Sequence, residues 1–128
     1  MFLNVVNEIY NELKDRYEEA LKLGITKDKM ILDPGFGLGK YGYNNIILMK
    51  NIKKFKELDI PLLVGISKKK FLNLLDNLDP LYFNMSTIYS NAYMASLGIN
   101  ILRVHNVKEH RKMVDVINSI IYGGKNIE

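Results

Sequence analysis

The chain has 128 residues, 48% of them hydrophobic and 25% charged, with 18 basic against 14 acidic side chains for a net charge of +4. That length carries one domain with a single core, and the composition is that of an ordinary soluble protein. The absence of cysteine excludes a disulfide framework and a thiolate metal site. No apolar run is long enough to span a bilayer, and the scattered lysines do not form the basic stripe of a nucleic-acid binder.

The N-terminus carries acids early and no leading basic stretch, so it does not read as a signal peptide, and a cytoplasmic location is expected. Residues 4–23 place Val6, Ile9, Leu13, Tyr17, Ala20 and Leu21 at three- and four-residue steps, which predicts an amphipathic helix. Gly24 is placed to stop it in a left-handed cap. Residues 30–33 predict a short buried strand ending in Asp33. Pro34 follows, and then Gly35, Gly37 and Gly39 alternate with Phe36 and Leu38 in a loop suited to close backbone approach. Residues 44–58 predict a second helix, with Ile47, Leu48, Ile52, Phe55 and Leu58 facing inward.

A second buried strand is expected over 61–67, and from Lys68 the chain should turn helical through about Asn77. The stretch 76–84, with Pro80, reads as a loop, and 86–97 as a helix that Gly98 ends. Residues 100–105 predict the third strand. Asn106 is a suitable N-cap for the last helix, and Glu109 completes a capping box. Val107, Val114, Ile117 and Ile121 would supply that helix's inner face, and Gly123 with Gly124 its end.

A helix followed by three strand–helix units implies a parallel sheet with right-handed crossovers. In such sheets ligands gather at the carboxyl ends of the strands. Each expected strand delivers polar residues there: Asp33 from the first, Ser67 and Lys68, Lys69 and Lys70 from the second, Arg103 and His105 from the third. Side chains at i and i+2 share a face, so Arg103 and His105 should converge while Leu102 and Val104 point the other way. A cation in a buried strand is costly without a partner, and a guanidinium fork suits phosphate oxygens.

Each of these residues also has a plainer reading. Arg103 and His105 could bridge to a neighbouring carboxylate, Asp33 could form an Asp-Pro turn, and the lysines could be a solvated first turn of a helix. Against the last, three cations at a helix N-terminus oppose its dipole unless an anion sits there. The glycine loop lacks the spacing of a dinucleotide fingerprint, and Tyr41 after Lys40 rules out a P-loop. His110 reads as a surface residue. With two histidines and no cysteine, no transition-metal site is visible.

Three segments, ILDPGFGLGK (31–40), PLLVGISKKKF (61–71) and ILRVHNVKE (101–109), together resemble the dihydropteroate synthases in order and spacing. The likeness is to the C-terminal half of those enzymes and covers essentially the whole chain. It implies that residues 1–128 are the C-terminal half of a TIM (β/α)8 barrel, an α/β fold with three parallel strands alternating with helices. It implies a transferase of folate biosynthesis that joins the methylene of a dihydropterin pyrophosphate to the amine of p-aminobenzoate and releases pyrophosphate. By the resemblance, Asp33 hydrogen-bonds the pterin ring, Lys69 contacts the pterin and helps close the site, and Arg103 with His105 holds the pyrophosphate. Lys69, Arg103 and His105 would carry the chemistry, with Gly37, Ser67 and Lys70 as further substrate-binding positions. Magnesium (Mg2+) would be held by the N-terminal half and the substrate pyrophosphate. The whole enzyme would be a homodimer, with no nucleic acid or membrane as partner.

Several positions depart from the family pattern. Lys68 stands where an arginine is usual, keeping the charge but losing the bidentate fork. Lys70 replaces a small hydroxyl near the p-aminobenzoate end. Leu38 replaces a common aromatic, and Asn106 replaces an aspartate while keeping the N-cap. A (β/α)8 barrel needs about 250 residues, so this chain is expected to need the N-terminal half and to be inactive alone. Two other readings remain. One is a pterin-binding barrel that passes a methyl group from methyltetrahydrofolate to a corrinoid protein. The other is a non-catalytic half-barrel that serves only in assembly. The Arg103-x-His105 pair argues against the first, which has no pyrophosphate to hold.

Overall fold

The computed structural model describes residues 2–37, 42–66 and 80–123 of the chain. Its opening element is the helix that the apolar periodicity predicts, α1 (Phe2–Lys22). Val6 is buried, and Ile9, Tyr10, Leu13 and Tyr17 pack against the core at helical spacing. Leu21 departs from the expected stripe: it is exposed, as are Leu23 and Ile25, because this end of the helix projects past the core. Gly24 stops the helix as expected. Its N–H donates to the Leu21 carbonyl and the Ile25 N–H to that of Ala20, both at 3.0 Å, which satisfies the last carbonyls.

The three expected strands are shorter than the sequence suggests. Leu32 alone makes a parallel bridge, to Leu62. The Leu32 N–H donates to the Pro61 carbonyl at 2.9 Å, and the Leu63 N–H to the Leu32 carbonyl at 2.8 Å. Pro34 has no N–H with which to continue that ladder. The other two strands contract to β1 (Leu63–Val64) and β2 (Ile101–Leu102), paired in parallel with Leu63 opposite Ile101 and Val64 opposite Leu102. The described residues thus form a two-stranded parallel sheet plus a bridge, not three full strands. Leu62, Val64 and Ile66, at alternate positions on one face, are completely buried, while Leu63 between them is half-buried.

The single helix expected over 44–58 is broken. α2 (Gly42–Lys50) stops at Asn51, and a tighter 3-10 turn covers Ile52–Leu58. Asn51 is the cause. Its side-chain amide donates to the Ile47 carbonyl at 2.8 Å, a group its own backbone N–H also reaches at 3.1 Å. A side chain that competes for helical carbonyls favours a helix end. The inward face survives the break, with Leu48, Ile52, Phe55 and Leu58 buried and Ile47 half-buried.

α3 (Pro80–Ser96) begins before residue 86, so 80–84 is helix and not loop. Proline suits a first helical position, where its missing N–H would have no intrahelical partner. Thr87, Ser90, Asn91 and Met94 are buried at helical spacing, which gives α3 a largely polar inner face. Gly98 closes its end, and Lys56 Nζ donates to the Leu97 carbonyl at 2.9 Å, a cation at the negative end of the helix.

α4 (Val107–Tyr122) packs on α3. Two expectations for α4 are overturned. Asn106 makes no side-chain cap bond, so the capping box is not formed. Val107 and Ile121 are 65% and 44% exposed, because the ends of this helix run beyond what it covers. The helix expected over 68–77 lies outside the described residues. No helix among the described residues is long and apolar enough to cross a membrane.

Phe55 has no exposed surface, and its ring centroid lies 6.1 Å from that of Tyr10 on α1. Phe55→Ala should therefore destabilise the fold by about 3–5 kcal/mol, read as a lower urea midpoint. A negligible shift would mean that α1 and the 3-10 turn do not share a core.

Candidate functional site

Parallel pairing sets the ends of three segments side by side. Leu32 lies opposite Leu62, and Val64 opposite Leu102. Asp33, Gly65 and Arg103 therefore leave the sheet at one edge, the carboxyl edge where α/β proteins bind ligands. From strand spacing and rise, the Asp33 and Arg103 backbones stand roughly 12 Å apart along that edge.

Asp33 is exposed, and its Oδ1 accepts the Gly35 N–H at 2.8 Å. The carboxylate thus shapes the turn that follows it, through one of its oxygens. Phe36 turns into the core, 2% exposed. The Gly37 N–H donates to Oδ1 of Asn45 at 2.7 Å, and Asn45 is itself buried on α2. The glycine loop is pinned to α2 through this amide. The sequence reading singled out the glycines and missed Asn45. The signal for it is its spacing with Leu48 and Met49, which makes it a polar residue on an inward helical face.

Arg103 donates its backbone N–H to the Val64 carbonyl at 2.9 Å. Its guanidinium crosses directly over Gly65: a Cβ at that glycine would lie 2.6 Å from Nη2 and 2.8 Å from Nε. A side chain at residue 65 would displace the guanidinium. Arg103 and His105 are both exposed, while Leu102 and Val104 line a cleft of about 460 Å³ with Val107, His110 and Val114. The expected separation of the two pairs is thus present. Among the described residues the salt bridge is Arg111–Asp115, on the outer face of α4, and not one to Arg103.

Ser67, Lys69 and Lys70 lie outside the described residues, as do Lys68, Leu38 and Lys40. His110 corrects the sequence reading outright. It is 4% exposed, with Nδ1 bonded to the Asn106 carbonyl at 2.7 Å and Nε2 to the Asn91 amide at 2.9 Å. It falls on the same helical stripe as Val114 and Ile117, which is the sequence signal for an inward position. Among the described residues no cluster of three or more His, Cys, Asp or Glu could hold a metal ion.

The sequence matches the pterin binding enzyme family over residues 2–105. It is 35% identical over 121 residues to the dihydropteroate synthase of Escherichia coli K12, across 94% of this chain and 42% of that protein. The fold is similar to dihydropteroate synthase from Anaplasma phagocytophilum with bound 6-hydroxymethylpterin-monophosphate, at a TM-score of 0.86 and 29% identity, over 94% of this chain and 45% of that one. It is equally similar to the Xanthomonas albilineans enzyme in complex with 7,8-dihydropteroate, at a TM-score of 0.87 and 29% identity, over 92% of this chain and 45% of that one. The chain thus spans less than half the length of these relatives.

Asn45→Ala removes the acceptor for the Gly37 N–H and should lower stability by about 1–2 kcal/mol. Amide exchange at Gly37 should quicken in the variant. Unchanged exchange would show that the loop is held by something other than Asn45.

Proposed function

The chain belongs to the pterin-binding enzyme family, and from that premise we propose that it carries the C-terminal share of a dihydropteroate synthase active site. The reaction is the condensation of a dihydropterin pyrophosphate with p-aminobenzoate. The amine nitrogen bonds to the pterin methylene carbon, the carbon–oxygen bond to pyrophosphate breaks, and the amine loses a proton. The observation that carries this reading is the Arg103 guanidinium laid over Gly65 at the strand-end edge, with Asp33 at the other end of that edge. The spacing suits a ligand with a hydrogen-bonding ring at one end and a diphosphate at the other. The relatives with bound 6-hydroxymethylpterin-monophosphate and 7,8-dihydropteroate support the same ligand class.

In this reading Asp33 accepts hydrogen bonds from the pterin ring, and Arg103 with His105 grips the pyrophosphate. As the carbon–oxygen bond breaks, charge builds on the leaving oxygens, and a preorganised guanidinium stabilises that charge more than it stabilises the ground state. Lys69 covers the pterin, while Gly37, Ser67 and Lys70 contact substrate nearby. Mg2+ would enter with the pyrophosphate and the N-terminal half of the enzyme.

The parallel strand–helix order supports residues 1–128 as half of a (β/α)8 barrel. Leu102, Val104 and Val107 line an open cleft beside β2, where further protein of a closed barrel would pack. Exposed Tyr89, Ile120 and Tyr122 offer apolar surface for a homodimer of the whole enzyme, which would work in the cytoplasm.

Calorimetric titration with pyrophosphate and with 6-hydroxymethylpterin tests the assignment. Arg103→Ala and His105→Ala should each weaken pyrophosphate binding about tenfold or more and spare the pterin. Asp33→Ala should do the reverse. Pterin binding that ignores Arg103 and His105 would favour the corrinoid-linked methyl carrier. Binding of neither ligand would leave only an assembly role. Gly65→Ala should reproduce part of the Arg103→Ala loss, since a methyl group there takes the guanidinium's place.

A further inference from the structure

We propose that Asn91 and His110 are positioning residues for the Arg103–His105 anion site, a role that rests on the function proposed above. The peptide that follows His105 is held from inside the protein. The Asn106 carbonyl accepts two hydrogen bonds from a single residue, one from the His110 backbone N–H at 3.1 Å and one from ring Nδ1 at 2.7 Å. A carbonyl can only accept, so Nδ1 carries the proton and Nε2 accepts from Asn91 Nδ2 at 2.9 Å. Asn91 is 0% exposed and His110 4%. Bulk water does not offer either side chain a substitute partner, and a buried link of this kind fixes geometry more strongly than an exposed one.

Asn91 Oδ1 has no partner among the described residues. The amide is therefore oriented by its bond to the ring, because turning it over would set an oxygen against the unprotonated Nε2. A buried polar pair that leaves one acceptor unmet is not the most stable filling for the space between two helices. It does specify one docking of α4 on α3.

The consequence reaches the site through two residues of backbone. On the sheet side Arg103 is fixed by its N–H to the Val64 carbonyl at 2.9 Å. On the helix side Asn106 is fixed by His110, since Asn106 makes no side-chain cap bond of its own. Val104 and His105 lie between these anchors. The ladder holds one end of the segment that carries Arg103 and His105, the Val107 N–H bonds the His105 carbonyl at 3.1 Å, and His110, braced by Asn91 of α3, holds the Asn106 end. Small displacements of groups that grip a ligand have large effects on binding and rate.

The test uses the full chain with inorganic pyrophosphate and 6-hydroxymethylpterin as probes, titrated by calorimetry beside thermal unfolding. His110→Leu fills the space without either hydrogen bond, and His110→Gln keeps one donor and one acceptor. His110→Leu should raise the pyrophosphate Kd about tenfold, a change that one or two lost hydrogen bonds can produce. The pterin Kd should stay within about twofold, and His110→Gln should recover most of the pyrophosphate affinity. Asn91→Ala, expected to raise the pyrophosphate Kd about threefold, serves if His110→Leu does not fold. Unaltered pyrophosphate binding in the folded variants would overturn the positioning role and leave the proposed function standing. Equal loss for both probes, in step with lost stability, would also overturn it. A parent chain that binds no pyrophosphate would overturn the proposed function, and this role with it.

Discussion

Parallel backbone pairing from Leu32 through β1 to Arg103 is the constraint on which the rest of the structure depends. Parallel strands cannot be joined by a tight turn, so each return must cross over the sheet. That requirement puts every strand end on one edge. The sheet also buries Leu62, Val64 and Ile66, at alternate positions on one face of the strand, which accounts for their apolar character. The ladder is short because its flanks lack partners. Pro34 and Pro61 have no N–H, and the Leu62 N–H donates to the Asn100 side chain at 3.1 Å. A short ladder leaves the chain free at the edge to turn side chains outward, and Asp33 and Arg103 emerge there.

What the ladder does not hold, buried polar groups do. Asn45 ties the glycine loop to α2, Asn51 breaks the helix, and Asn91 with His110 joins α3 to α4. Asn45, Asn91 and His110 are buried polar side chains on the inner side of an element, where an apolar residue would pack at lower cost in desolvation, and Asn51 is half-buried at a helix end. Their common feature is direction. An apolar contact tolerates sliding, whereas a hydrogen bond between buried groups admits a narrow range of distance and angle. The framework near the candidate site is thus a compromise in which apolar packing supplies most of the stability and a few amides supply placement.

Much of this was legible in the sequence. The apolar spacing of α1, the glycine stops at Gly24 and Gly98, and the alternation of Leu102 and Val104 against Arg103 and His105 follow from local geometry. Local geometry is what periodicity and turn chemistry report. The errors share one cause. The capping box at Asn106, the unbroken helix over 44–58 and the surface placement of His110 were each inferred from local preference. The Asn106 side chain makes no cap bond, Asn51 adds a side-chain bond to the Ile47 carbonyl where the helix ends, and for His110 the deciding partner is distant, since Asn91 on α3 holds its ring inward.

By itself the sequence determined the α/β order, the parallel direction of the pairing, and which residue types stand at the strand ends, because these depend on period and spacing along the chain. Only the tertiary structure decided how long the strands are, that Gly65 is the bed on which the Arg103 guanidinium lies, that Asn45 holds the Gly37 N–H, and that Asn91 meets the His110 ring. These are contacts between residues far apart in sequence. No local pattern encodes which of several possible partners a buried polar group will find; that is set by the packing that brings the elements together.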